Sequence, residues 1–136
     1  PLKPKTLDRI KTTPSIIEVG PIWGAEILKY YAASDCFVFP SYREGFPNTV
    51  LEAGAMGLPS IVTDINGSRE IIEEGKNGLI VLAKDTHGLY EAMREMVENV
   101  PKRKAMAEIS RSMIESRFEQ RFVRNCLLEF YDEIMK

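Results

Sequence analysis

The stretch CFVFPSYREGFPNTVLEA, from Cys36 to Ala53, decides the fold. An apolar run, Cys36–Pro40, stops at a proline, and a polar loop with an acid and a glycine follows. A helical pattern begins at Pro47 or Asn48 and closes at Gly57. Proline suits a first helical turn and glycine a C-terminal cap. The run Cys36–Pro40 shows no polar alternation. That is the pattern of a strand covered on both faces, as in a parallel sheet.

Outward from this unit the pattern repeats. Ile16–Gly20, Ser60–Thr63 and Gly78–Leu82 are further apolar runs that read as buried strands. Helical periodicity fills Ala25–Ala33, Asn48–Met56, Ser68–Glu74 and Thr86–Asn99, then a segment from Pro101, then Phe118 to Met135. Strands alternating with helices predict an α/β fold. The expectation is a partial Rossmann-like parallel sheet of about four strands, with flanking helices and a helical C-terminal tail. The chain reads as a single domain over 1–136, with the sheet part at about 15–83 and the tail at about 86–136.

Composition narrows the function classes. Of 136 residues, 44% are hydrophobic and 28% charged, which argues against disorder. Lys and Arg total 18 against 20 Asp and Glu, a net charge of −2, so there is no basic footprint for nucleic acid. No apolar run approaches the ~20 residues of a membrane span. Cys36 and Cys126 match no ligand spacing, and His87 stands alone, so a zinc site is not expected. The two thiols read as reduced, buried or half-buried groups of a cytosolic protein. Met93, Met96, Met106 and Met113 lie on apolar helical faces and read as core filler.

In a doubly wound sheet, ligands bind outside the carboxyl ends of the strands. The loop after Pro40 is therefore the strongest candidate. The N–H groups at the start of its helix suit a phosphate, and Gly45 lets backbone approach a ligand closely. Glu44 and Glu52 flank this cradle. A phosphate would repel both carboxylates, so they make better sense reaching past it to vicinal hydroxyls. Read blandly, Glu44 is a solvated loop acid and Glu52 a surface helix acid; spacing alone leaves both readings open. Ala53, Gly54, Ala55 and Gly57 permit close packing of this helix, which argues against an idle Glu52.

The run Tyr30 to Ala53, continued by Met56 to Asp64, Gly67 to Ile72 and Gly75 to Val81, resembles the core signature of retaining glycosyltransferases of family four. Glu44 and Glu52 match that family's paired glutamates. The resemblance implies a GT-B fold, two Rossmann-like domains with the active site in the cleft between them. This chain is similar to the later part of the C-terminal, donor-binding domain. On that reading Glu44 is the catalytic-site contact to the donor sugar, and Glu52 holds the ribose hydroxyls. The backbone of Gly45, Phe46, Pro47, Asn48, Thr49 and Val50 approaches the sugar and phosphates. Pro21, Ile22 and Trp23 lie where the base is held; Trp23 stacks on the base or is a core or interface aromatic. Arg43 meets a phosphate or acceptor, or is a solvated loop arginine. Arg69, Glu70 and His87 read as surface residues.

The implied activity is transfer of a sugar from a nucleotide-diphosphate sugar, UDP-linked by resemblance, to a glycan or lipid-linked acceptor with retention of configuration. The resemblance points to bacterial surface polysaccharides, capsule and lipopolysaccharide. It implies no metal and no cofactor beyond the donor. Cytoplasmic placement is expected, with any peripheral membrane attachment through an N-terminal half. The family's opening strand, Gly-containing turn, and Arg and Lys for the pyrophosphate find no match here, and the chain starts at Pro1. An N-terminally truncated fragment, inactive without the N-terminal domain as its partner, is therefore expected. A GT-B nucleotide-sugar epimerase and a non-catalytic nucleotide-binding α/β module remain alternatives. In the strand order 3-2-1-4-5-6, Ile16–Gly20 corresponds to strand 3 and the next runs to strands 4, 5 and 6. The sheet then either pairs Ile16–Gly20 beside Cys36–Pro40 or leaves open edges.

Overall fold

The structure is a computed structural model that describes residues 3–43, 45–118 and 120–135; side chains at 120–123, 125, 126, 130 and 133 are outside the description. Three strands, β1 (Phe37–Phe39), β2 (Ser60–Thr63) and β3 (Gly78–Val81), form a parallel sheet in the order β1-β2-β3. Val38 lies opposite Ile61, and Ile61 opposite Leu79. Helices α1 (Pro4–Lys11), α2 (Ile27–Ala33), α3 (Asn48–Ala55), α4 (Ser68–Ile71), α5 (Thr86–Glu98), α6 (Val100–Arg117) and α7 (Gln120–Met135) surround it. A one-turn 3-10 helix, Gly24–Glu26, leads into α2.

The alternation of strand side chains between two covered faces explains why the strand interiors show no polar alternation. Phe37, Phe39, Val62 and Ile80 point to one face, where they meet Val50, Leu51 and Ala55 of α3, Ile71 of α4 and Ile114 of α6. Val38, Ile61, Leu79 and Val81 point to the other, against Ala92 and Met96 of α5 and Met106 of α6. Both faces are covered, so apolar side chains serve both; Ser60 and Thr63, at the two ends of β2, are buried polar exceptions. Of the four methionines expected in the core, Met96 and Met106 are there, Met113 is half-buried on α6, and Met93 is exposed on α5.

The expected fourth strand is corrected. Ile16–Gly20 belongs to no strand and pairs with nothing in the sheet. Ile16, Ile17 and Val19 are half or more exposed. A run becomes a strand only where a neighbour takes its N–H and C=O groups. The neighbour that the expected order gives this run is a strand that no segment of the 136 residues supplies. Among the described residues, the outer edge of β1 likewise has no strand partner. The outer edge of β3 is different: the Ile80 N–H donates to the Glu74 carboxylate, and the Gly75 N–H donates to the Gly78 carbonyl at 2.8 Å.

Helix α3 sets the position of everything at its N-terminus. Ala53 and Ala55 are fully buried. A Cβ on Gly54 would stand 2.7 Å from Ile114 Cγ1 of α6. The Ser110 hydroxyl, buried in the same seam, donates to the Leu58 carbonyl at 2.9 Å. Gly54→Ala is expected to lower the unfolding free energy by about 1–3 kcal/mol, the usual cost of overpacking a tight contact. Urea unfolding measures it, and an unchanged midpoint would contradict a seam this close.

Candidate functional site

The carboxyl ends of β1 and β2 and the N-terminus of α3 come together at one end of the sheet. Pro47 is the N-cap of α3, and as proline it supplies no side-chain cap. The N–H groups of Val50 and Leu51 donate to the Pro47 carbonyl, at 3.1 and 3.4 Å. At Asn48 and Thr49, the first helical positions, there is no carbonyl one turn back within the helix. Gly67, with φ +88°, is buried against this turn; a Cβ there would overlap the Gly45 carbonyl oxygen and stand 3.0 Å from Pro47 Cδ. The loop after β2 thus braces the entry to α3. The Thr63 hydroxyl reinforces the brace by donating to the Ser41 carbonyl.

Glu52 lies one turn inside α3 and is half-buried. The hydroxyl of buried Tyr31, on α2, donates to Glu52 Oε2 at 3.2 Å and lies 3.5 Å from the Thr49 carbonyl. Burial pushes the carboxyl above its usual 4.5; the Tyr31 hydrogen bond opposes that rise, and Glu129 on α7 adds to it. Helix α7 packs on α3 and on the 3-10 turn. It therefore ties the 3-10 turn, which follows Trp23 in the chain, to the helix that carries Glu52. Glycines with positive φ, Gly20 (71°) and Gly24 (64°), bracket the segment Pro21 to Trp23. Trp23 is 82% exposed, so its indole belongs to no core.

The other expected site residues are distributed as follows. Gly45 and Asn48 are exposed, Pro47 is buried and Thr49 is half-buried. Phe46 is partly exposed, its ring 5.7 Å from that of Phe118. The Val50 side chain is fully buried in the core, which leaves its backbone alone for any ligand. Glu44 lies outside the described residues. His87 is exposed at the start of α5. Arg69 pairs with Asp64 at 3.1 Å. Cys36 is half-buried, and burial pushes its thiol up to about 11. Cys126 falls among the undescribed side chains. No three His, Cys, Asp or Glu side chains among the described residues gather to hold a metal ion. No described helix is long and apolar enough to cross a membrane.

Sequence reasoning passed over Tyr31 as the partner of Glu52. The signal was present: Leu28 and Tyr31 share one buried helical face, and a buried tyrosine hydroxyl requires a partner.

A parallel sheet covered by helices, its carboxyl ends meeting an open helix N-terminus, is the architecture of doubly wound α/β proteins. Comparison with known proteins fixes the family. The model for glycosyl transferases group 1 matches residues 1–99, and the chain belongs to that family. It is 28% identical over 109 residues to the capsular polysaccharide biosynthesis glycosyltransferase CapM of Staphylococcus aureus, covering 80% of this chain and 29% of CapM. It is 30% identical over 112 residues to the N,N'-diacetylbacillosaminyl-diphospho-undecaprenol alpha-1,3-N-acetylgalactosaminyltransferase of Campylobacter jejuni, covering 82% of this chain and 30% of that enzyme. The chain thus spans under a third of the length of these relatives. The structure of Anabaena HepE in complex with UDP-glucose superposes with a TM-score of 0.76 at 20% identity, over 96% of this chain and 35% of HepE. The two share the fold.

The raised carboxyl has a consequence for stability. The folded chain holds the Glu52 proton more tightly than the unfolded chain does. Stability from this group is therefore present below the ordinary value of 4.5 and lost as pH rises through the folded value. Glu52→Gln removes that loss. The variant is expected to be more stable than the parent at neutral pH and to converge with it in acid, read from urea unfolding across the range. A variant less stable at neutral pH would contradict a carboxylate held at a cost.

Proposed function

We propose that this chain is the donor-nucleotide side of a retaining glycosyltransferase of hexosyltransferase type. The whole protein would transfer a sugar from a UDP-linked donor to a glycan or lipid-linked acceptor in bacterial surface polysaccharide synthesis, at the cytoplasmic face of the membrane. The observation that carries the reading is Glu52: a half-buried carboxylate, oriented by Tyr31, one turn below the uncapped start of α3. A phosphate at the Asn48 and Thr49 N–H groups would meet the partial positive charge of the helix end. From there the carboxylate is suited to accept from two vicinal ribose hydroxyls. Glu44 takes the donor-sugar hydroxyls by family resemblance. Pro21, Ile22 and Trp23 take the base. No cofactor or metal enters this reading; the donor is the substrate.

The relatives agree in chemistry. HepE was solved with UDP-glucose, and the Campylobacter enzyme is named for an undecaprenol-diphosphate acceptor. Retention follows from the resemblance to the paired-glutamate signature. The helix end and Glu52 form one wall of a site, so transfer by the 136 residues alone should be undetectable.

Titration of the chain with uridine diphosphate tests the assignment. Glu52→Ala should weaken binding by about tenfold or more, the range for charge-assisted hydrogen bonds. Tyr31→Phe, which frees the carboxylate from its hydrogen bond while keeping the ring, should change affinity less. Equal affinity of Glu52→Ala and parent would remove Glu52 from the site.

A further inference from the structure

A second recess opens at the same end of the sheet, beyond the brace formed by Gly67. Tyr42, Arg43, Asp64, Ile65, Asn66 and Arg69 line it, and its volume is about 310 Å³. That lies at the small end of the ~300–1,000 Å³ of ligand clefts, and is suited to a single ring rather than a whole nucleotide. We propose that this recess is a subsite for one neutral sugar ring of the acceptor. The proposal rests on the donor reading above, because it places the acceptor next to the donor.

Three observations carry it. The first is a built-in fork. Arg69 Nη1 donates to Asp64 Oδ1 at 3.1 Å, and Nη2 donates to Asn66 Oδ1. The guanidinium thereby fixes a carboxylate and an amide side by side, and Asp64 Oδ2 and the Asn66 amide nitrogen are not used by the fork. An acceptor and a donor held at fixed spacing match the alternating roles of neighbouring sugar hydroxyls. The second is a rigid backbone under the fork. The Asp64 N–H donates to the Val81 carbonyl at 2.7 Å, and the Arg69 N–H donates to the Ile65 carbonyl at 3.2 Å. The site is thus preorganised, which lowers the cost of binding. The third is an aromatic wall. The Tyr42 ring is 64% exposed, and Lys84 Nζ stands 5.5 Å from its centroid.

Charge decides between a sugar and a phosphate. Arg43 and Arg69 bring two positive charges to the lining, and Asp64 offsets one of them directly. The described acids and bases of the next recess, Lys84 and Asp85, balance each other. An anion site would need a clear cationic excess with no carboxylate in its lining. The mixture of planar donors, a carboxylate and a phenol ring is instead suited to a polyol.

The test is a titration of the isotopically labelled chain, followed by its amide resonances, with the methyl glycosides of glucose, galactose and N-acetylglucosamine and with inorganic phosphate. Each is added with and without saturating uridine diphosphate. At least one glycoside should shift Asp64, Asn66 and Arg69 at millimolar concentration with the nucleotide in place. Asp64→Ala and Asn66→Ala should each weaken that glycoside by about fivefold, the net worth of one hydrogen bond, and leave nucleotide affinity unchanged. The proposal is overturned if no glycoside shifts these residues, if the shifts fall only on residues 45–50, or if phosphate shifts them more than any glycoside. A failed donor assignment appears separately, as a nucleotide that leaves residues 48–52 unmoved.

Discussion

Helix α3 can lie where it does only because residues 53–55 are almost free of side chain. Ala53, Gly54 and Ala55 let the helix reach the sheet on one side and Ile114 of α6 on another. Every feature of the site follows from that seat. The helix start is carried to the carboxyl end of β1 and β2, where Gly67 and Thr63 brace the chain that enters it. The same seat sets Glu52 against Tyr31 at the edge of the core. Larger residues in the seam would push the helix outward and separate its N–H groups from the strand ends.

Glu52 shows how packing and chemistry compete at one residue. A purely structural account would place an apolar or amide side chain beside Tyr31, Ala53 and Leu58, which share a buried cluster with Leu28. A carboxylate there is desolvated, and Glu129 disfavours its charge further. Natural chains tolerate such costs mainly where function requires the group. The Tyr31 hydrogen bond reduces the cost and holds the carboxylate in one orientation.

Much of this was legible in the sequence, for identifiable reasons. Cys36–Pro40, Ser60–Thr63 and Gly78–Leu82 could be read as strands because both faces of the sheet are covered, so apolar residues follow one another without polar alternation. The helix from Asn48 was legible from Pro47 and Gly57. Ile16–Gly20 was not, because local composition says what a segment could pair with and nothing of whether the partner exists. Helix α1 was missed, since none of its residues is buried and its apolar side consists of Leu7 and Ile10 alone, too short a stripe to read. In the site, the resemblance could name Glu52 but not Tyr31. Contacts across 21 residues between two helices are set by packing, and spacing along the chain does not encode them. The Arg69 fork was hidden for the opposite reason: its partners are so close in sequence that the cluster looked like ordinary loop polarity.

The two margins of the sheet are unequal. At β3 the side chain of Glu74 and the turn at Gly75 occupy the hydrogen-bonding groups that another strand would need. At β1 no described strand does so. Extension of this sheet is therefore polar: a strand can add beyond β1, and beyond β3 it would first have to displace a carboxylate and a turn. A designer wishing to enlarge the fold, or to fuse it to a second β layer, has one side to build on.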